Sequence, residues 1–169
     1  MKTWFWLGFA LLVLPGSSPA VDYTTVVINE IMVANASFSL EPDTVNFADW
    51  VEFYNKGTEE VNLRGCYLSD DPTNPKKYRI HYGIPIPPKG RRMVWCDGQT
   101  RVNHVPFKLD AVQGMISLYS PRSELLDAVY YEQQVPDVSF GRKPDGGKQW
   151  LYYAEPTPEK NNSTPGVFG

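Results

Sequence analysis

The segment DWVEFYN (49–55) places one carboxyl group between two aromatic rings. Side chains alternate between the two faces of an extended strand, so Trp50, Glu52 and Tyr54 would share one face while the other face is apolar. Two aromatic rings and an acid in a row could bind a sugar by stacking and hydrogen bonding. The row could equally be an ordinary second face that a neighbouring segment of the chain covers.

A second aromatic row occurs in QWLYY (149–153), where Trp150 and Tyr152 fall on one face of a predicted strand. Aromatic platforms bind sugars or peptides by stacking. Small β-domains also use aromatic side chains for core and cross-strand packing, so both interpretations stay open. The candidate ligand-binding residues are therefore Trp50, Glu52, Tyr54, Trp150 and Tyr152.

Neither the histidines nor the carboxylates form a catalytic motif. His81 and His104 are the only histidines, and neither lies in a metalloprotease, nucleophile-elbow or deaminase pattern. Several carboxylates lie near predicted strand ends, where an acid pair could hydrolyse a glycosidic bond or a group of acids could bind calcium. No D-x-D-x-D-G spacing is present, and aspartate is a common turn residue. We therefore predict no catalytic residue, no metal site, no cofactor and no enzymatic activity.

The two cysteines, Cys66 and Cys96, allow two interpretations. In an exported protein they could form a disulfide. Each also lies in an apolar, strand-like run, which favours a buried free thiol. Two cysteines without clustered histidines do not form a zinc site.

The first twenty residues are typical of a secretory signal. Lys2 is followed by the apolar run TWFWLGFALLVL and then by PGSSPA, which resembles a cleavage site. The apolar run is shorter than the roughly 18–20 residues that span a bilayer. We therefore expect residues 1–20 to be removed and the mature chain to be secreted, periplasmic or at the cell surface, without membrane insertion.

The charge of the chain argues against nucleic acid as a partner. It has 16 basic and 19 acidic residues, which give a net charge of −3. Proteins that bind nucleic acid normally present a basic face to the phosphates. We therefore predict no nucleic-acid partner.

Short alternating runs recur between clusters of turn residues, and helical periodicity is missing after the signal. The predicted strands are 24–33, 49–55, 66–70, 77–80, 91–96, 105–109, 115–120, 125–131, 138–142 and 149–153. So many strands pack poorly as one open sheet, so we predict an all-β sandwich of two antiparallel sheets spanning 21–153. The segment 154–169 is rich in Pro, Asn, Ser and Gly and is predicted to be a flexible C-terminal tail or linker.

Five ordered motifs carry a resemblance to a known family. They are VVINEIMVAN (26–35), DWVEFYNKGTEEVNLRGCYLSDD (49–71), KYRIHYGIPIPPKGRRMVWCDG (77–98), FKLDAVQGMISLYSPRSELLDAVYY (107–131) and PDVSFGRKPDGGKQW (136–150). Together they resemble the bacterial lamin-tail domain (LTD), in the form found next to CotH-like kinase domains. The resemblance implies an immunoglobulin-like β-sandwich with Val51 and Phe53 in its core.

The resemblance implies no catalytic residue, since the family has no agreed active site. We expect a secreted, non-enzymatic module for cell-surface or extracellular binding, whose partner is a protein or polysaccharide of the cell envelope. One alternative is an accessory or targeting domain of a CotH-like kinase or another envelope enzyme. A further alternative is a glycan-binding module that uses the aromatic rows.

Overall fold

The computed structural model of the chain describes residues 20–38 and 47–163. The 3₁₀ helix Tyr23–Thr25 is followed by β1 (Val26–Met32), β2 (Asp49–Asn55), β3 (Val61–Asn62), β4 (Tyr67–Ser69), β5 (Tyr78–Arg79), β6 (Pro85–Ile86), β7 (Arg91–Cys96), β8 (His104–Val105), β9 (Gly114–Tyr119), β10 (Leu125–Tyr131), β11 (Ser139–Lys143) and β12 (Gln149–Tyr153). The predicted signal, residues 1–20, lies outside the described residues except for Ala20. None of the helices in the described ranges is long and apolar enough to cross a membrane.

The strands form two main sheets. The six-stranded sheet has the order β12-β11-β1-β2-β7-β8, and the four-stranded sheet has the order β10-β9-β4-β5. Every pairing in them is antiparallel except that of β7 with β8, which is parallel. The proline-rich connection 84–90 contributes β6, which pairs only with β3 in a separate two-stranded sheet. The predicted all-β class with two antiparallel sheets is confirmed.

The main hydrophobic core contains the alternating apolar side chains of both sheets. Ile28, Ile31, Val51, Phe53, Leu68, Ile116 and Leu118 are all fully buried within it. Burying one such side chain contributes roughly 1.5–3 kcal/mol. Val51 and Phe53 lie in this core, so their neighbours Trp50, Glu52 and Tyr54 lie on the outer face of the six-stranded sheet.

A β-bulge in β1 places two consecutive polar side chains on that same outer face. The register with β2 shifts between Ile28, which pairs with Phe53, and Glu30, which pairs with Glu52. Asn29 is the extra residue. Because of the bulge, Ile28 and Ile31 both reach the core, while Asn29 and Glu30 both point away from it.

An ion pair between the sheets binds the backbone beside this bulge. Asp127 of β10 accepts a hydrogen bond from the Ile28 N–H at 2.8 Å, and Nε of Arg142 in β11 donates to the Ile28 carbonyl at 2.7 Å. Nη2 of Arg142 also contacts the two carboxylate oxygens of Asp127 at 3.0 and 2.9 Å. The pair therefore satisfies Ile28 and joins β10 to the six-stranded sheet.

Candidate functional site

Trp50 belongs to a small apolar cluster on the outer face of the six-stranded sheet. Its side chain is 0% exposed and packs with Met32, Met93 and Trp95. Phe38 and Ala48, which belong to the loop between β1 and β2, contact this cluster. The middle of that loop lies outside the described residues. The structure therefore does not place Trp50 on an exposed platform.

Glu52 is also fully buried, and it lies opposite Glu30 in the register of β1 and β2. One carboxylate oxygen of Glu52 accepts a hydrogen bond from Nδ2 of Asn29 at 2.9 Å, and the other accepts from the backbone N–H of Glu159. The Nε atom of Arg91 lies 4.0 Å from Glu52. Burial raises the pKa of Glu52 to about 8, and the nearby Glu30 adds to the rise.

Glu30 accepts hydrogen bonds from the Ser139 hydroxyl and from the Thr157 backbone N–H at 3.0 Å. The Thr157 hydroxyl oxygen lies 2.9 Å from Oε2 of Glu30. Burial raises the pKa of Glu30, although these hydrogen bonds oppose the rise. Because Glu30 and Glu52 are 0% exposed, a soluble substrate cannot reach the pair in this conformation. Their geometry supports a structural role for both acids.

Residues 154–163 cover these acids. Asn162 is only 3% exposed, and its Nδ2 donates to the carbonyls of Arg142 at 3.0 Å and Asn29 at 3.4 Å. Nζ of Lys143 donates to the Asn162 carbonyl at 3.0 Å. The composition of this segment predicts a flexible linker, whereas its described part is held to the sheet by hydrogen bonds. Residues 164–169 of the predicted tail lie outside the described residues.

Tyr54, the third residue of the row, is covered in part by the turn between β11 and β12. The Arg91 guanidinium lies 4.8 Å from the centre of the Tyr54 ring, and Nη2 of Arg91 binds Asp145 in that turn. Gly146 has a φ of +66°, and a Cβ there would lie 2.9 Å from the Tyr54 ring. The turn can therefore approach the ring only with a glycine at this position.

Trp150 and Tyr152 lie on β12, at one edge of the six-stranded sheet, and both are half-buried. Their rings contact Phe140 with centroid separations of 5.0 and 4.9 Å. The Arg142 guanidinium lies 4.7 Å from the centre of the Trp150 ring. Side chains of the chain itself thus occupy ring surface that a sugar would need for stacking. Trp150 also packs against the main core.

Cys66 and Cys96 are both buried free thiols. Burial raises the pKa of Cys66 to about 12, and it raises the pKa of Cys96 as well. A thiol with a raised pKa is a poor nucleophile at neutral pH. His104 is paired with Asp97, whose Oδ2 lies 2.7 Å from Nδ1 of the ring. In the described ranges, no group of three or more His, Cys, Asp or Glu residues could hold a metal ion.

The most exposed apolar side chains of a regular strand lie on β10. This strand of seven residues forms an edge of the four-stranded sheet and pairs there with β9 alone. Leu125 is 59% exposed and Tyr130 is 73% exposed. The edge strand at the other side of this sheet, β5, has two residues. Sequence reasoning found β10 as a strand but did not single it out, because edge position depends on the sheet order.

Comparison with protein families identifies the fold. The family model for the Lamin Tail Domain matches residues 19–133, which is most of the chain. A comparison with curated proteins found no match. The matched region contains the whole four-stranded sheet and the six-stranded sheet without β11 and β12. The chain therefore belongs to the lamin tail domain family and has its immunoglobulin-like β-sandwich fold.

Proposed function

We propose that the mature chain is a secreted, non-catalytic module that binds a protein of the cell envelope through the open edge of β10. The observation that carries this proposal is the exposure of Leu125 and Tyr130 on a long edge strand. An edge strand offers backbone N–H and C=O groups to an incoming strand, and exposed side chains give specificity. The membership in a family of non-catalytic immunoglobulin-like domains supports the absence of enzymatic activity.

Within β10, the segment Ala128–Tyr131 fits strand addition best. The register with β9 shifts between Leu125 and Asp127, and the Asp127 carboxylate is bound to Ile28 and Arg142. A bulge and an inward-pointing charge both disfavour regular pairing at that end of the strand. From Ala128 to Tyr131 the register is regular. We therefore expect the partner strand to pair along these residues, with Tyr130 as the main side-chain contact.

Export is supported by the signal-like sequence at the N-terminus, residues 1–20. The experiment is a capture assay with immobilised mature chain, residues 21–169, against protein and polysaccharide fractions of the host cell envelope. Tyr130→Lys places a charge on the edge, which should lower capture of the protein fraction about tenfold. Tyr82→Lys is the matched control, because Tyr82 is 44% exposed and lies outside the strands. Equal capture by both variants would contradict the proposal.

A second candidate function is an accessory domain of a CotH-like kinase. It is supported by the motifs YLSDD (67–71), FKL (107–109) and PDVSFGR (136–142), which resemble the domain copy next to such kinases. A kinase-like domain encoded beside this chain, and retained by the wild type but not by Tyr130→Lys, would identify the partner. Capture of polysaccharide that depends on Trp150 instead would favour the glycan-binding alternative.

A further inference from the structure

A small polar pocket lies at the β5 edge of the four-stranded sheet, on the opposite side of that sheet from β10. Its volume is about 140 Å³, well below the roughly 300–1,000 Å³ of pockets that enclose a whole organic ligand. It therefore suits a single small group. No carboxylate among the described residues lines the pocket. The lining residues are Arg64, Gly65, Arg79, Ile80 and His81.

Backbone hydrogen bonds bring the two sides of this pocket together, because they continue the pairing of β4 and β5 past its regular end. The Gly65 N–H donates to the Ile80 carbonyl at 2.8 Å, and the Ile80 N–H donates to the Cys66 carbonyl at 2.9 Å. Gly65 has a φ of +89°, and Nη2 of Arg79 lies 3.7 Å from the position that a Cβ would take there. The Arg79 guanidinium therefore lies over a floor of bare backbone, next to Arg64.

The two arginines of the pocket have no partner within the described part of the chain. Neither guanidinium makes a hydrogen bond or an ion pair with another described residue. Asp70, which follows β4, lies 2.6 Å from Nζ of Lys77 instead. Like charges that border one pocket repel each other, and an anion between them would remove that repulsion. The chain as a whole has a net charge of −3, so its overall charge does not account for this positive pocket.

The charge of the pocket fits a phosphate group better than a carboxylate. Arg64 and Arg79 are always protonated, and His81 adds a third positive charge when its imidazole is protonated. A phosphate monoester carries a charge of about −1.5 to −2 at pH 7 and has three acceptor oxygens, whereas a carboxylate carries one charge and has two oxygens. Guanidinium groups bind phosphate through paired N–H donors. The His81 ring is held beside the pocket by an edge-on contact with Tyr78, with the ring centres 6.0 Å apart.

A row of aromatic side chains adjoins the pocket on the outer face of the same sheet. Tyr67 of β4 lies opposite Arg79 on one side and Tyr119 of β9 on the other, and Tyr119 lies opposite Leu125 of β10. Cross-strand partners such as these lie side by side on one face. Both tyrosines are half-buried, and Nζ of the exposed Lys76 lies 5.9 Å from the centre of the Tyr67 ring. A ligand with its phosphate in the pocket would therefore place a sugar ring against Tyr67.

We propose that this pocket binds the phosphate group of a sugar phosphate, with Arg64, Arg79 and His81 donating to the phosphate oxygens and Tyr67 packing against the sugar. The site is independent of the β10 edge, because β9 and β4 separate β10 from β5. Its charged side chains are exposed, and solvent weakens such contacts. The expected dissociation constant is therefore about 1 mM.

The test is a titration of the ¹⁵N-labelled mature chain, residues 21–169, with glucose-6-phosphate at constant ionic strength, monitored by NMR. The Gly65 amide and the Arg79 Nε–H signals should shift saturably, with a dissociation constant of about 1 mM. Arg64→Gln and Arg79→Gln should each raise this constant at least about tenfold, since each removes a charged donor. Lys148→Gln is the matched control, because it removes one charge at an exposed position in the β11–β12 turn of the other sheet. It should leave the constant unchanged.

Three further probes separate the phosphate from the sugar. Inorganic phosphate should shift the same signals but bind at least about threefold more weakly than glucose-6-phosphate, and Tyr67→Ala should remove this difference. Glucose alone should not shift Gly65. Equal affinity for glucose-6-phosphate and inorganic phosphate in the wild type would overturn the sugar contact, and equal affinity for glucuronate, a carboxylate sugar, would overturn the choice of phosphate. No saturable shift of Gly65 below about 20 mM, or an equal weakening by Lys148→Gln, would overturn the site itself.

Discussion

Raising the pH should destabilise this fold near neutrality, where most domains change little. Burial raises the pKa of Glu52 from its ordinary value of 4.5 to about 8. A folded-state pKa above the unfolded value means that the folded state holds its proton more tightly, so stability is highest at low pH and is lost as the pH rises. One unit of pKa corresponds to about 1.4 kcal/mol. The loss should therefore extend from about pH 4.5 to about pH 8 and amount to roughly 5 kcal/mol.

The upper part of this window gives the cleanest measurement. Burial also raises the pKa of Asp49 to about 6. Below that pH, Asp49 and Glu52 therefore both contribute to the loss of stability as the pH rises. Between about pH 6 and about pH 8 Glu52 releases its proton, which should lower the free energy of unfolding by about 3 kcal/mol. Since domains are stable by only about 5–15 kcal/mol, this change is large.

The assay is urea denaturation of residues 21–169, monitored by tryptophan fluorescence and repeated in steps from about pH 6 to about pH 9. The free energy of unfolding should fall by up to about 1.4 kcal/mol per pH unit and then level off above about pH 8. In Glu30→Gln the like charge beside Glu52 is removed, so the curve should be flatter. A wild-type stability that is constant or rises across this range would refute the assignment of a buried proton to Glu52.

Three further predictions concern other buried groups. Trp50→Ala should lower the free energy of unfolding by about 3–5 kcal/mol because it leaves a cavity. Trp50→Phe should lower it less, since the indole N–H has no hydrogen-bond partner among the described residues. Equal small losses for the two variants in urea denaturation would contradict this prediction. Asp127→Asn should lower the free energy of unfolding by about 3–5 kcal/mol because Arg142 is left as a buried unpaired charge. A decrease below about 1 kcal/mol would mean that the pair contributes no more than an ordinary surface salt bridge. Cys66 and Cys96 should resist alkylation in the native protein, and both should react in denaturant without reductant. If mass spectrometry finds neither cysteine alkylated in denaturant, the two form a disulfide instead.

The strands and the sandwich could be predicted from the sequence, because alternation is a local property. In β2, the apolar residues Val51 and Phe53 alternate with the row that begins at Trp50, and this pattern alone assigns the core face. The outer face could not be interpreted in the same way. Trp50 and Glu52 have the spacing of a solvent-facing row, but what covers them is decided by segments distant in sequence, such as Glu159.

The bulge and the covering segment escaped prediction for two different reasons. In INEI (28–31) two polar residues interrupt an apolar run, and that pair is the local signal of a bulge. The composition of 154–163 indicates a linker, because the segment has few bulky apolar side chains that could be buried. This segment is held instead by hydrogen bonds, because the Thr157 N–H donates to the buried Glu30 and the Asn162 side chain donates to the backbone carbonyl of Arg142.

Site-specific photo-crosslinking in the cell envelope would show whether the open edge of β10 is the binding surface. A photoreactive phenylalanine analogue would replace Tyr130 in one protein and Tyr82 in another, since both side chains are exposed. We expect one discrete crosslinked product from position 130 and none from position 82. Crosslinks from both positions to the same products, or from position 82 alone, would contradict it.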